Sequence, residues 1–228
     1  MLLCLAVAAS AFAQEAPRLR EHHVTVGGSL VWSGGYDIGD ATAQLRGNGP
    51  GATATPFNWF ASSSHVAGTF ATELHVGLSL TPTFAIDGGV AYSRPRVAFS
   101  ISRDAETASQ DLPGEELDEY QVGAAVTWQL PFALMRKAPA GLSSRLAPFV
   151  TGGAAYLRQL HEDRGLAENG RVYYAGGGAR YWLKGGSGGS RDLGVRADAR
   201  FNLRTGGIDF ENKTRTYPSV TVMVFVGL

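Results

Sequence analysis

Glu73 and His75 stand two positions apart. In an extended segment they project to the same side about 7 Å from one another, as an acid/base couple would. A hydrogen-bonded structural pair is the competing and stronger reading. Ser64-His65 sets a nucleophile beside a base, but nothing nearby completes a triad. The histidines at 22, 23, 65, 75 and 161 show neither HExxH nor paired-cysteine spacing, so no metal is expected. Cys4 is the single cysteine and permits no internal disulfide. Gly176-Gly177-Gly178 is followed by strand-like rather than helix-like sequence, which argues against a nucleotide loop. No cofactor and no catalytic residue is expected. Charge is what remains: Glu73, Asp87 and Asp198 against Arg180, Arg196, Arg200 and Arg204, each on the polar side of an alternating segment.

Those segments are the positioning elements. Alternation of apolar with small or polar residues marks a strand whose two faces meet different surroundings. Val24, Val26, Leu30 and Trp32 make one such face, and Phe70, Leu74, Val76 and Leu78 a second. A third segment carries Phe84, Ile86, Val90 and Tyr92 and resumes after Pro95 as Val97, Phe99 and Ile101. The fourth carries Tyr120, Val122, Val126 and Trp128, and the sixth Tyr173, Ala175, Ala179 and Tyr181. In the seventh, Leu193, Val195, Phe201 and Leu203 oppose Arg196, Asp198, Arg200 and Arg204; in the eighth, Val220, Val222, Val224 and Val226 oppose Ser219 and Thr221. The fifth, 147–159, is so rich in small residues that its faces stay unassigned. Eight segments in succession predict an all-β fold, an eight-stranded antiparallel up-and-down barrel.

Connections alternate in length. The segments 37–65, 103–119, 161–171 and 205–217 are long and polar, whereas Thr81-Pro82-Thr83 is a tight turn and 184–192 a Gly/Ser tract. Short turns at one rim and long loops at the other are the layout of transmembrane barrels, although 131–145 is long for its rim. Glycine, 30 of 228 residues, exceeds the roughly 7% background and sits within strands, where it relieves crowding in a tightly curved sheet. Aromatics near strand ends, namely Trp32, Tyr92, Tyr120, Trp128, Tyr173, Tyr181 and Tyr217, suit interfacial girdles.

Lys+Arg and Asp+Glu balance at 20 each, which argues against nucleic acid as a partner. Beyond the first residues no apolar run approaches the roughly 18 positions of a spanning helix. Residues 1–13, apolar and ending Ala-Phe-Ala, read as an export signal, leaving 14–228 as one barrel domain.

The face assignment decides between a bilayer and a soluble barrel. The apolar faces hold almost no ionic residue, and the opposite faces are largely Gly, Ala, Ser and Thr, too small for ordinary solvated strands. The balanced ions, with His75, fit a narrow lumen as a structural polar network. With the export signal, the stretches 148–157, 174–183, 193–203 and the closing VTVMVFVGL resemble the small outer-membrane β-barrel family, similar to the transmembrane domain of outer membrane protein A and its porin-like relatives. Family members commonly end in Phe or Trp, whereas this chain ends in Leu228. The resemblance implies a monomer in the cell outer membrane, in contact with lipid and lipopolysaccharide and inserted by the barrel-assembly machinery. The expected function is non-enzymatic: a mostly plugged lumen with surface-exposed loops, serving envelope integrity or surface interaction. A soluble exported lipocalin-like barrel holding an apolar ligand, a narrow channel and a lipid-modifying barrel are the alternatives.

Overall fold

A computed structural model describes residues 24–45, 57–102, 108–130, 146–161, 165–184 and 192–228. The expected export signal at 1–13, the 131–145 connection and most of the Gly/Ser tract lie outside the described residues. Twelve strands follow in order: β1 (Val24–Ser33), β2 (Tyr36–Leu45), β3 (Phe57–Val66), β4 (Thr69–Ser79), β5 (Phe84–Ser93), β6 (Arg96–Ser102), β7 (Gln110–Glu116), β8 (Asp118–Gln129), β9 (Leu146–Leu160), β10 (Ala167–Lys184), β11 (Asp192–Gly206) and β12 (Arg215–Gly227). Eight of them close a barrel in the order β1-β12-β11-β10-β9-β8-β5-β4. Every pairing is antiparallel, and the ladder from Thr25↔Gly227 to Ser33↔Ser219 joins the first strand to the last. Closure leaves the barrel with no unpaired edge.

The polarity of the wall is that of a transmembrane barrel. Leu74 is 73% exposed and Val222 51% exposed on the outside, whereas Asp198 at 4% and Thr221 at 1% are buried inside. Arg196, Arg200 and Arg204 face the axis, while Leu193, Val195 and Phe201 face out. On β9 the faces left open by the sequence separate cleanly: Phe149, Thr151, Leu157 and Gln159 are buried inside, and Val150 and Tyr156 are exposed outside. Room for large inner side chains comes from glycine opposite them. A Cβ on Gly194 would strike the Phe225 ring, and one on Gly77 would lie 2.7 Å from Asp87 Oδ1.

The remaining strands form a second sheet, β2-β3-β6-β7. This corrects two expectations. Segments 37–65 and 103–119 contain β2, β3 and β7 rather than long loops alone, and the stretch after Pro95 leaves the barrel instead of prolonging β5. The chain bends at the rim, at Gly34-Gly35, Ala67-Gly68, Arg94-Pro95 and Leu117. Proline cannot donate to a ladder, and at Gly35 a Cβ would lie 2.7 Å from the Val66 carbonyl oxygen. Hydrogen bonds carry the pairing across the bend, from Ala67 N to Arg96 O at 2.8 Å and from Leu117 N to Pro95 O at 2.9 Å. The sheet therefore continues four adjacent barrel strands beyond the rim. Its alternation is hidden because Thr42, Ser62, Ser63 and Ser100 make it polar on both faces away from the rim, with apolar residues such as Ile38, Val66 and Val97 buried only near the bend.

Trp32, Tyr92, Tyr120 and Trp128 stand exposed on the outer face near strand ends, and Tyr173 is exposed on that face further inside β10. Tyr217 does not join them. It shares the parity of Ser219 and Thr221, is buried on the inside, and stacks on Tyr36 at 5.1 Å.

Candidate functional site: a layered lumen

At the short-turn end the lumen is filled by aromatic side chains, with Trp182 edge-on to Phe225 at 4.8 Å. Above them lies an ionic layer. Asp87 on β5 receives Arg196 Nη1 at 3.1 Å and Arg180 Nη2 at 3.7 Å on Oδ2, and His75 Nε2 approaches its Oδ1 at 3.8 Å. Thr127 donates to the same carboxylate and also hydrogen-bonds Thr151 at 3.2 Å. Asp198 bridges Arg196 Nε at 2.9 Å and Arg200 Nε at 2.6 Å, which the period of two makes possible by setting all three side chains on one face of β11. The guanidinium of Arg196 lies 4.3 Å from the Phe149 ring centre and that of Arg200 5.1 Å from Tyr174. Two carboxylates shared among three guanidiniums, each with an aromatic face or a hydroxyl beside it, leave no isolated charge in the barrel interior.

A chamber of about 60 Å³ follows, bordered by Glu73, His75, Gln121, Tyr174, Arg200 and Asn202. Glu73 accepts a hydrogen bond from Ser29 at 3.1 Å. Glu73 and His75 thus line one chamber yet take different partners, and His75 Nδ1 is buried without one. Ser64 and His65 lie outside the barrel on β3, with Ser64 buried on one face of the strand and His65 exposed on the other.

The long-loop end closes with a polar layer and then an apolar one. Gln159 donates to Glu119 at 2.7 Å and accepts from Arg204 Nη2 at 2.6 Å and from the Ile208 backbone N–H at 2.9 Å. Ile208 comes from the β11–β12 hairpin and Gln159 from β9, so the hairpin reaches across the mouth. Gly206 and Gly207, at φ +74° and +73°, make the turn that permits this, and Arg204 Nε donates to the Gly206 carbonyl at 3.0 Å. Ile208 packs with Ile38, Val66, Val97 and Leu117, all but fully buried, and with Tyr36 and Phe99. The hairpin is held to the second sheet by Phe210 N donating to Ile38 O at 3.0 Å.

Further along the hairpin, Asp209 accepts from Glu211 N, Lys213 N and Arg215 Nη2 at 3.0, 2.8 and 2.8 Å. Partial burial pushes its carboxyl upward, but these donors outweigh it and hold the group below the ordinary range.

Of the residues singled out from sequence, Asp87, Arg180, Arg196, Asp198 and Arg200 lie in the ionic layer with His75 beside it, Glu73 lines the chamber, and Arg204 belongs to the upper polar layer. Thr127, Thr151, Glu119 and Gln159 were not singled out. Each is an inward polar residue whose only signal is parity, and for Thr151 and Gln159 parity was unreadable in the small-residue run of β9.

No protein-family model matches the chain, and no curated protein matches it. Among solved structures it is similar to the outer membrane protein OprG from Pseudomonas aeruginosa, at 9% identity and a TM-score of 0.45, covering 93% of this chain and 98% of that one. It is also similar to the outer membrane protease OmpT from Escherichia coli, at 10% identity and a TM-score of 0.36, covering 90% and 96%. At such identities and overlaps neither structure transfers a role to this chain, and the barrel assignment rests on the closed strand ladder itself.

Proposed function

We propose that this protein is a non-enzymatic integral outer-membrane barrel, its wall in lipid, its lumen shut by the ionic layer, and its capped loop end presented outside for envelope integrity or surface interaction. One observation carries the reading. Among the described residues, the outward positions between the two aromatic rows carry no Asp, Glu, Lys or Arg, while the ionic residues of those strands at the same level face the axis. A soluble lipocalin-like barrel would reverse this, because a water-facing wall of Leu74, Val76, Val222 and Val224 would drive aggregation. An eight-stranded barrel has room inside for little more than its own side chains, which supports a structural role for the lumenal ions. The reading implies a monomer exported through its N-terminal segment, folded by the assembly machinery, and in contact with lipid and lipopolysaccharide.

Carbonate-resistant membrane fractionation with heat-modifiable migration on gels is the test. Recovery in the carbonate-soluble fraction, with migration unchanged by boiling, rejects the membrane reading. Planar-bilayer recording is expected to show no steady conductance, and a sustained open level would assign the protein to narrow channels instead. Unchanged lipid A mass on expression is expected of a barrel that does not modify lipid.

A further inference from the structure

The outer rim contains two kinds of cation. Arg94 is bound to Glu116 at 3.4 Å and Asp118 at 3.3 Å, and Arg96 to Glu116 at 2.9 Å. Arg158 and Arg171 make no ion pair or side-chain hydrogen bond among the described residues. Both face outward: Arg158 is exposed between buried Leu157 and Gln159, and Arg171 between buried Gly170 and Val172. The β9–β10 ladder sets Arg158 opposite Asn169 and Tyr156 opposite Arg171. The two arginines are therefore diagonal neighbours, about 7–8 Å apart at the backbone, within reach of one small anion for side chains of this length. Tyr156 donates to Asn169 Oδ1 at 2.6 Å, which fixes the amide and leaves its NH₂ as a third donor beside the pair.

What lies beneath selects the anion. One strand step toward the middle of the wall come Tyr156 and Tyr173, and beyond them Ala154, Gly152, Ala175 and Gly177, paired as Tyr173↔Ala154 and Gly152↔Ala175. These small residues carry no side chain beyond a methyl, and with Ala124 on β8 and Ala199 on β11 they make a stretch of low relief, the trough, bounded by Val122 and Val126 on β8 and by Phe201 and Leu203 on β11. We propose that Arg158 and Arg171 grip the phosphate of an outer-leaflet glycolipid whose acyl chain lies in this trough. The inference rests on the membrane reading. Arginine suits the task because its planar fork binds phosphate oxygens bidentately, and a phosphate at the headgroup level satisfies both cations without drawing them into hydrocarbon.

The test is native mass spectrometry of the full chain released from micelles doped with bis-phosphorylated lipid A, dephosphorylated lipid A or inorganic phosphate. One retained lipid A is expected for the unaltered chain, with retention weakened roughly tenfold or more in R158Q/R171Q, as the loss of charge-assisted bonds implies. R158K/R171K is expected to fall between the two. Equal retention of dephosphorylated lipid A by the unaltered chain, or undiminished retention by R158Q/R171Q, overturns the proposal, and binding of inorganic phosphate as tight as that of lipid A assigns the pair to a free anion and overturns it too. Heat-modifiable migration is followed alongside. A barrel that migrates as folded but shows no phosphate dependence fails this site alone, whereas an unaltered chain that never shifts on heating fails the membrane reading.

Discussion

On the proposed reading the lumen is closed twice, by opposite physics. Toward the short turns, closure is ionic: Asp87 and Asp198 tie Arg180, Arg196 and Arg200 into a layer fixed by side chains on the strands themselves. Toward the long loops, closure is apolar: Ile208 is carried by a hairpin onto Ile38, Val66, Val97 and Leu117. The first seal is integral to the wall and cannot open without separating charges. The second is a separate element laid over the mouth, held by Gln159, Arg204 and the Phe210–Ile38 backbone bond. The difference predicts which end yields first. Local opening is cheapest where few buried contacts join an element to the rest, so the cap should loosen while the ionic layer remains intact.

The largest effect is expected at the ionic seal. Asp87→Ala removes the one carboxylate that Arg180 pairs with among the described residues and leaves Arg196 with Asp198 alone, and leaving buried charge uncompensated costs about 3–5 kcal/mol. Urea unfolding in lipid vesicles measures this, and a loss below about 1 kcal/mol would show that water enters the layer and that the seal is not dry. Val222→Arg gives the wall its own scale. An arginine near the bilayer midplane of a barrel costs about 2–4 kcal/mol, and an unchanged unfolding midpoint would place that face in water.

The cap is expected to respond locally. Ile208→Ala removes packing worth about 2–4 kcal/mol at a buried site, but the loss should fall on the hairpin rather than on the barrel. Hydrogen exchange is expected to rise across 206–214 while the β1–β12 ladder stays protected. Equal deprotection of both would mean that cap and wall unfold as one unit and that the contrast between the seals is false.

The two seals also differ in how plainly the sequence announces them. The strand bearing Arg196, Asp198 and Arg200 alternates without interruption, so its polar row and its counter-row of Leu193, Val195 and Phe201 can be read directly. Asp87 is similarly isolated among Ile86, Gly88 and Val90. The cap gives no such signal. Ile38, Val66 and Val97 stand in segments that mix Ser, Ala and Thr with Asp, Asn, Gln and aromatic residues in no regular alternation, and the core they share with Ile208 joins positions far apart in sequence. Alternation reports a face only where the two surroundings differ strongly. Outside the apolar belt, the second sheet buries only a small apolar cluster near the rim and is polar on both faces beyond it, so that contrast fades. Tyr217 shows the same limit from the other side: proximity to a strand end suggested a girdle, but parity places it in the mouth.

Acid should distinguish the seals with the smallest perturbation. Asp209 holds the hairpin best as a carboxylate, because all three of its partners are donors and protonation removes the charge and turns one of its oxygens into a donor. Its carboxyl is held below the ordinary value of 3.8. The stabilisation is therefore complete above the unfolded-state value and is lost as pH falls through the lower folded-state one. Glu211, held below its own ordinary value of 4.5 by the hydrogen bonds from Arg215 and Lys213, acts in the same direction. Below about pH 4, by the ordinary carboxylate range, exchange across 207–214, corrected for its intrinsic pH dependence, is expected to accelerate while the barrel ladder does not. Asp209→Asn should loosen the hairpin at neutral pH and flatten the acid response, since an amide keeps one acceptor but loses the charge. If the variant retained the full acid response, the switch would lie in other carboxylates and the cap would not be governed by Asp209.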